Sequence, residues 1–180
     1  MTTRVSFLAG DRGPWQIVSI TAITGATLPY ATNLARIEGD DFADGGTWAL
    51  AGVRSHDRYT TRAEKDVLLA RSPQLGRLDS RRAALIAIRK SDAWWALAQD
   101  ERRKIFEDSS HHVATGLEFL PAVARRLYHS RELGQPFDFL TWFEFAAIDA
   151  SDFDRLVDRL RITEEWRYVD REVDVRLVRD

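Results

Sequence analysis

The chain of 180 residues contains no cysteine. That absence removes a disulfide framework, a cysteine-held iron–sulfur cluster, thiolate ligation of a haem and covalent haem attachment through a C-x-x-C-H motif. An excess of charge of either sign is also missing, with 26 Lys and Arg against 28 Asp and Glu and a formal charge of -2. Without a basic stripe interleaved with aromatics, no nucleic-acid partner is expected. No apolar run approaches a membrane span, and the opening MTTRVSFLAGDRG lacks the apolar stretch of a secretory signal, so no membrane partner is expected and the cytoplasm is the expected location. H-E-x-x-H, a calcium-loop motif and a glycine-rich phosphate loop do not occur.

What remains is an ordinary apolar fraction of 44% in a chain of single-domain length, so residues 1–180 are expected to form one domain with a sizeable core. Val5 to Leu8 and Trp15 to Thr24 read as strands rich in β-branched and aromatic residues, and the turn residues from Gly10 to Pro14 suggest a hairpin between them. Gly25, Pro29 and the run Gly39-Asp40-Asp41 argue against one long element over residues 25–45, which stay unassigned. Thr47 to Val53 reads as a strand and Thr61 to Ala70 as a helix capped by Thr60 or Thr61, with Ala63, Val67 and Leu68 sharing a face and Ser72-Pro73 ending it.

Ala83 to Ile88 is a strand apolar enough for burial on both faces, and Asp100 to Glu107 a charged helix. Val123 to Arg131 and Phe137 to Phe145 read as partner strands across the turn Leu133-Gly134-Gln135-Pro136. Ser151 to Leu160 is an amphipathic helix with Phe153, Leu156, Val157 and Leu160 inward, and Trp166 to Val178 a last strand. The order strand, helix, strand, strand, helix, strand is ferredoxin-like. The predicted fold is therefore an α+β barrel, with residues 83–179 a ferredoxin-like half and residues 1–75 a reduced N-terminal half.

Residues 104–131 concentrate chemistry. His111 and His112 sit at a polar-to-apolar junction, and Arg125 and Arg126 follow an apolar run broken by Pro121. Imidazole is the commonest protein ligand of transition metals, and a guanidinium grips oxyanions through a planar fork without losing its charge. The combination suits an iron centre handling a small anion, whereas a polar cap after Asp108-Ser109-Ser110 and surface arginines would explain the same residues without any site. Period-two geometry puts Arg125 and Leu127 on one strand face and Arg126 on the other. Thr141 and Phe143 share a face of the next strand, so Arg125, Leu127, Thr141 and Phe143 can line one small cavity. An ordinary sheet face with Arg125 at its rim is the alternative.

Lys90 with Trp94-Trp95, the pair His111-His112, the run AVARRLYHSRELGQPFDFLTWFEF and the stretch TEEWRYVDREVDVRLVR together resemble the chlorite dismutases. The resemblance covers most of residues 46–179 and is nearest to the short, dimeric branch of that haem b family. It implies non-covalent haem b, chlorite as the small-anion substrate, conversion to chloride and molecular oxygen, and a homodimer. By the same resemblance His112 is the axial ligand of the haem iron and Arg125 the distal arginine, which would hold hypochlorite until the O–O bond forms. Glu165 matches the carboxylate accepting from the axial histidine, and Lys90 the lysine that closes this network. Trp94 and Trp95 would flank the haem, while Leu127, Thr141 and Phe143 match the distal pocket.

Two features refine that expectation. The related coprohaem decarboxylases carry a reactive tyrosine where this chain has Ile86. A distal glutamine of the short chlorite dismutases aligns with Ser72, with Gln74 two residues on. A haem carrier or sensor, a peroxidase-like relative and a cofactor-free α+β barrel are the alternatives to chlorite chemistry.

Overall fold

The computed structural model describes residues 3–39, 41–54 and 58–180. Asp40, within the predicted Gly39-Asp40-Asp41 breaker, lies outside the described residues, as do Met1 and Thr2. Eight strands close into an antiparallel barrel among the described residues: β1 (Arg4–Gly10), β2 (Trp15–Thr24), β3 (Asn33–Gly39), β4 (Trp48–Arg54), β5 (Arg82–Lys90), β6 (Ala124–His129), β7 (Phe139–Phe145) and β8 (Val169–Val178). Around the barrel they run β1-β3-β2-β8-β5-β7-β6-β4. The helices are α1 (Arg62–Arg71), α2 (Asp92–Ala96), α3 (Gln99–Arg103), α4 (His112–Glu118) and α5 (Ala150–Arg161).

Alternation along the strands builds two separate apolar layers. Every strand contributes to one cluster, which includes Phe7, Trp15, Leu34, Leu50, Leu85 and Trp142 and fills the barrel interior. The intervening residues of β5 and β7, such as Ala84, Ile86 and Phe143, face outward and join Phe153, Leu156, Val157 and Leu160 of α5 in a second layer. This is why β5 is apolar without interruption from Ala83 to Ile88, as expected for a strand covered on both sides. The inward face predicted for the helix after residue 150 is also the buried face of α5.

The expected hairpin between the first two strands does not form. β1 pairs instead with β3 and β4, while β2 pairs with β8 and touches β3 only through Trp15 and Gln16. The connection steps across the backbone of β3 at Gly13, where a Cβ would lie 2.5 Å from the Leu34 carbonyl carbon and oxygen. The turn residues here permit a crossing rather than a reversal. β3 itself lies within the stretch left unassigned by sequence.

Other boundaries shift for local reasons. α1 carries the expected Thr61 cap in a full capping box with Glu64, but of its predicted apolar face only Leu68 is buried; Ala63 and Val67 are exposed. The charged helix ends as α3 and gives way to a π-helical turn, Lys104–Ser109. The strand expected to reach Arg131 stops at His129, and Arg131 opens a 3-10 turn. Trp166 lies not in β8 but in a 3-10 turn, Glu165–Tyr168, ahead of it.

Candidate active site

The outward faces of β5, β6 and β7 do not meet the helices everywhere. Between that sheet wall and the wall made by α4 and α5 lies a cavity that opens to solvent. Ile86 and Ile88 of β5, Arg125 and Leu127 of β6, and Thr141 and Phe143 of β7 line the sheet side. The register pairs Arg125 with Phe143 and Leu127 with Thr141, so these four side chains form one patch, as period-two geometry suggests. Arg126 points away and donates to the Gln74 side chain at 3.2 Å. Neither Ser72 nor Gln74 is among the cavity-lining residues.

His112 stands on the helical wall as the first residue of α4. Its predecessor His111 adopts a left-handed conformation (φ 52) that turns the chain out of the π-helical segment. Adjacent imidazoles thereby diverge: His111 is exposed and His112 lines the cavity. Buried Glu107 accepts from the backbone N–H groups of Val113 and Ala114 at 2.6 and 3.2 Å, capping α4 from the preceding turn. Phe106, from the same turn, stacks on the His112 ring at 4.4 Å.

Nδ1 of His112 lies 2.7 Å from Oε2 of Glu165, and Lys90 Nζ donates to Oε1 of the same carboxylate at 2.8 Å. Glu165 and Lys90 are both buried. Burial by itself pushes the Glu165 carboxyl upward, but the charges of His112 and Lys90 and the hydrogen bonds from both outweigh it and hold the group at about 2. The carboxylate is thus ionised across the neutral range, and its partner nitrogen is the one that keeps a proton. The backbone N–H of Glu165 donates to Ser110 Oγ at 3.0 Å, tying the Glu165 turn to the residues just before His112.

Trp94 packs in the same wall, with Lys90 Nζ 4.4 Å from its ring centre. Its indole N–H is buried with no hydrogen-bond partner among the described residues. Trp95 is not among the cavity-lining residues; it donates to Asp138 at 3.2 Å and stacks on Phe139. Phe106, Glu107, Trp166 and Glu172 escaped sequence reasoning as site residues. Trp166 lay within the resembling stretch but was assigned to a strand, and the i-to-i+6 reach of Glu107 follows no periodic rule.

The donor set fits a flat apolar cofactor with one imidazole ligand. One ring nitrogen of His112 is taken by a carboxylate, and the walls are largely aliphatic and aromatic. No group of three or more His, Cys, Asp or Glu suited to a bare metal ion occurs among the described residues. Residues 40–179 match the sequence model of the family described as chlorite dismutase. The chain belongs to the chlorite dismutase family.

A dimeric chlorite dismutase from Nitrobacter winogradskyi shares 53% identity with it, with a TM-score of 0.91 over 97% of this chain and 99% of that one. The chlorite dismutase of Ideonella dechloratans is 36% identical over 86 residues, which is 48% of this chain and 28% of that protein. An imidazole complex of the chlorite dismutase from Candidatus Nitrospira defluvii has a TM-score of 0.67 at 18% identity, over 99% of this chain and 91% of that one. At that identity the likeness is one of fold. No helix among the described residues of this chlorite dismutase family member is long and apolar enough to cross a membrane.

Proposed function

We propose that this protein is a haem b enzyme that converts chlorite to chloride and molecular oxygen. The observation that carries the reading is one cavity with an anchored imidazole, His112, on its helical wall and a fixed cation, Arg125, on its sheet wall. His112 would hold the haem iron through Nε2, and Trp94 would border the macrocycle. When bound, the haem supplies redox-active iron; all else is the work of the chain.

Glu165 accepts from Nδ1–H of His112, which makes the imidazole a more basic ligand, and Lys90 balances the buried carboxylate. Arg125 cannot lose its proton, and beside apolar Leu127 and Phe143 its charge acts on an anion more strongly than it would in bulk water. It therefore draws chlorite in and retains the chlorine oxyanion that must give up its oxygen. Thr141 adds a hydroxyl to that apolar patch. Ile86, which pairs with Thr141 and lines the cavity, brings no phenol to the position where a coprohaem decarboxylase needs one. A carrier or sensor has no use for a cation in an apolar pocket.

The same proposal covers assembly, architecture and location. A homodimer is the expected state, as in the similar Nitrobacter protein, and the cytoplasm the expected compartment. The orders β4-β1-β3-β2 and β8-β5-β7-β6 read as two ferredoxin-like units within one domain, the first with no helix between its strands among the described residues. For the activity, the test is Arg125→Ala in the haem-loaded protein, with oxygen yield and haem absorbance followed on adding chlorite, with and without a hypochlorite trap. The expected result is a lower oxygen yield and faster bleaching that the trap relieves. Equal yield and equal haem survival would remove Arg125 from the mechanism, and a wild-type protein that evolves no oxygen would remove the activity.

A further inference from the structure

Besides Glu165, a second buried carboxylate borders the cavity. Glu172 of β8 is 0% exposed, and among the described residues its carboxylate accepts from two side chains. Nε and Nη2 of Arg161, the last residue of α5, donate to its Oε1 at 2.9 and 2.7 Å. Nε1 of Trp166 donates to its Oε2 at 2.8 Å. Arg161 is itself held by Asp174 at 2.9 Å, two residues along the same strand face. The position of a buried carboxylate with both oxygens engaged is set by its partners, because moving it would strand a charge away from water.

That fixed carboxylate reaches the candidate haem ligand through one side chain. The Trp166 ring lies 6.2 Å from the His112 ring at an interplanar angle of 21°, and Lys90 Nζ sits 5.5 Å from its centre. Phe106 also lies nearly parallel to the His112 ring, at 24°. With Cβ tethered to α4, the Glu165 hydrogen bond at Nδ1 restrains rotation of the ring about Cβ–Cγ, but one hydrogen bond can bend and so leaves a spread of ring planes. The two rings narrow that spread, and only Trp166 carries a polar handle tying it to the barrel.

We propose that Arg161, Glu172 and Trp166 form a positioning anchor that sets the plane of the His112 imidazole, acting in addition to the Glu165–Lys90 pair. The inference rests on the reading of His112 as a haem ligand. Trp166 and Glu172 are positioning residues that act through His112. Glu165 tunes the basicity of the ligand and sets its tautomer, and this anchor narrows the orientation that the Glu165 hydrogen bond leaves open.

The variants Trp166→Phe, which keeps a ring but removes the N–H donor, and Glu172→Gln test it in the haem-loaded protein. The readouts are the line shape of the high-spin ferric EPR signal and the rate of haem loss to an excess of a haem-scavenging globin. Trp166→Phe is expected to split or broaden the signal, as imidazole planes multiply, and to speed haem loss roughly tenfold, within the span known for residues that orient metal ligands. A general loss of stability would speed haem loss without spreading the signal. If either readout of Trp166→Phe stays within twofold of wild type, the anchor does not orient the ligand and the inference is overturned. Should the variants not fold, hydrogen exchange of the Trp166 indole N–H in the wild-type apoprotein decides: slow exchange is expected, and exchange as fast as a free indole overturns it. A wild-type holoprotein lacking a His-ligated haem spectrum would instead sink the haem reading itself.

Discussion

At the level of single residues, the pair Lys90 and Glu165 has the largest calculable consequence. Lys90→Met would remove the lysine that balances the buried Glu165 carboxylate, which costs about 3 kcal/mol or more when the surroundings are dry. Lys90→Met combined with Glu165→Gln is expected to recover much of that loss, because no uncompensated charge remains. Urea unfolding of the apoproteins checks the comparison, and equal stability of wild type and the single variant would refute it. Tyr128 gives a pH dependence of opposite origin. Burial, the largest influence, lifts its hydroxyl to about 12, against the nearby Arg36. The folded state holds this proton more tightly than the unfolded state, so the contribution is complete below pH 10 and is lost as pH climbs from 10 towards 12. Alkaline unfolding of Tyr128→Phe is expected to show a shallower fall across that window. Legibility at this scale was uneven. Alternation separated Arg125 from Arg126 because a strand imposes it, but nothing in two neighbouring histidines says which one turns inward. The left-handed backbone at His111 makes that choice.

At the level of elements, α4 is the piece that reading the sequence missed. HVATGLE is short, holds a glycine and two β-branched residues, and has no intrinsic tendency to be helical on its own. It forms because Glu107 satisfies two of its free N–H groups and because Val113 packs with Leu68 and Leu120. Glu107→Ala is accordingly expected to cost about 1–2 kcal/mol, the upper part of the range for losing a helix cap, and to weaken haem binding. Glu107→Gln, which keeps an acceptor, should fall between the two. Thermal unfolding and haem titration of both variants check the order, and an alanine variant as stable as wild type would show that the cap does not hold α4. By contrast the buried face of α5 was legible residue for residue, since its apolar stripe recurs at helical spacing and faces the outer side of β5 and β7.

On the scale of the whole molecule, the barrel has a thick seam and a thin one between its halves. β2 and β8 pair along nearly their full length, while β4 meets β6 only through Val53 with His129 and Arg54 with Tyr128 among the described residues. Close approach at the thin seam depends on Gly52, where a Cβ would lie 2.8 Å from Tyr128 Cβ and 3.1 Å from Ser130 Oγ. Gly52→Val should therefore wedge the seam apart at a cost of about 1–3 kcal/mol, the usual penalty for overpacking. Because β6 carries Arg125, the expected signature is a lower melting temperature together with weaker anion binding to the haem-loaded protein; an unchanged melting temperature would mean the seam tolerates the insertion.

The sequence alone determined the elements whose periodicity is local, the face of β6 that bears Arg125, and, through quoted motifs, the family resemblance. Tertiary structure alone decided that β1 neighbours β3 and β4, that α4 exists, and that a sheet wall and a helical wall stand apart by the width of a cavity. The reason is physical: alternation and helical spacing act between residues a few positions apart. Strand partners, caps reaching across a turn and the carboxylates behind His112 are instead chosen by which distant groups can bury one another without leaving a charge or a donor unpaired.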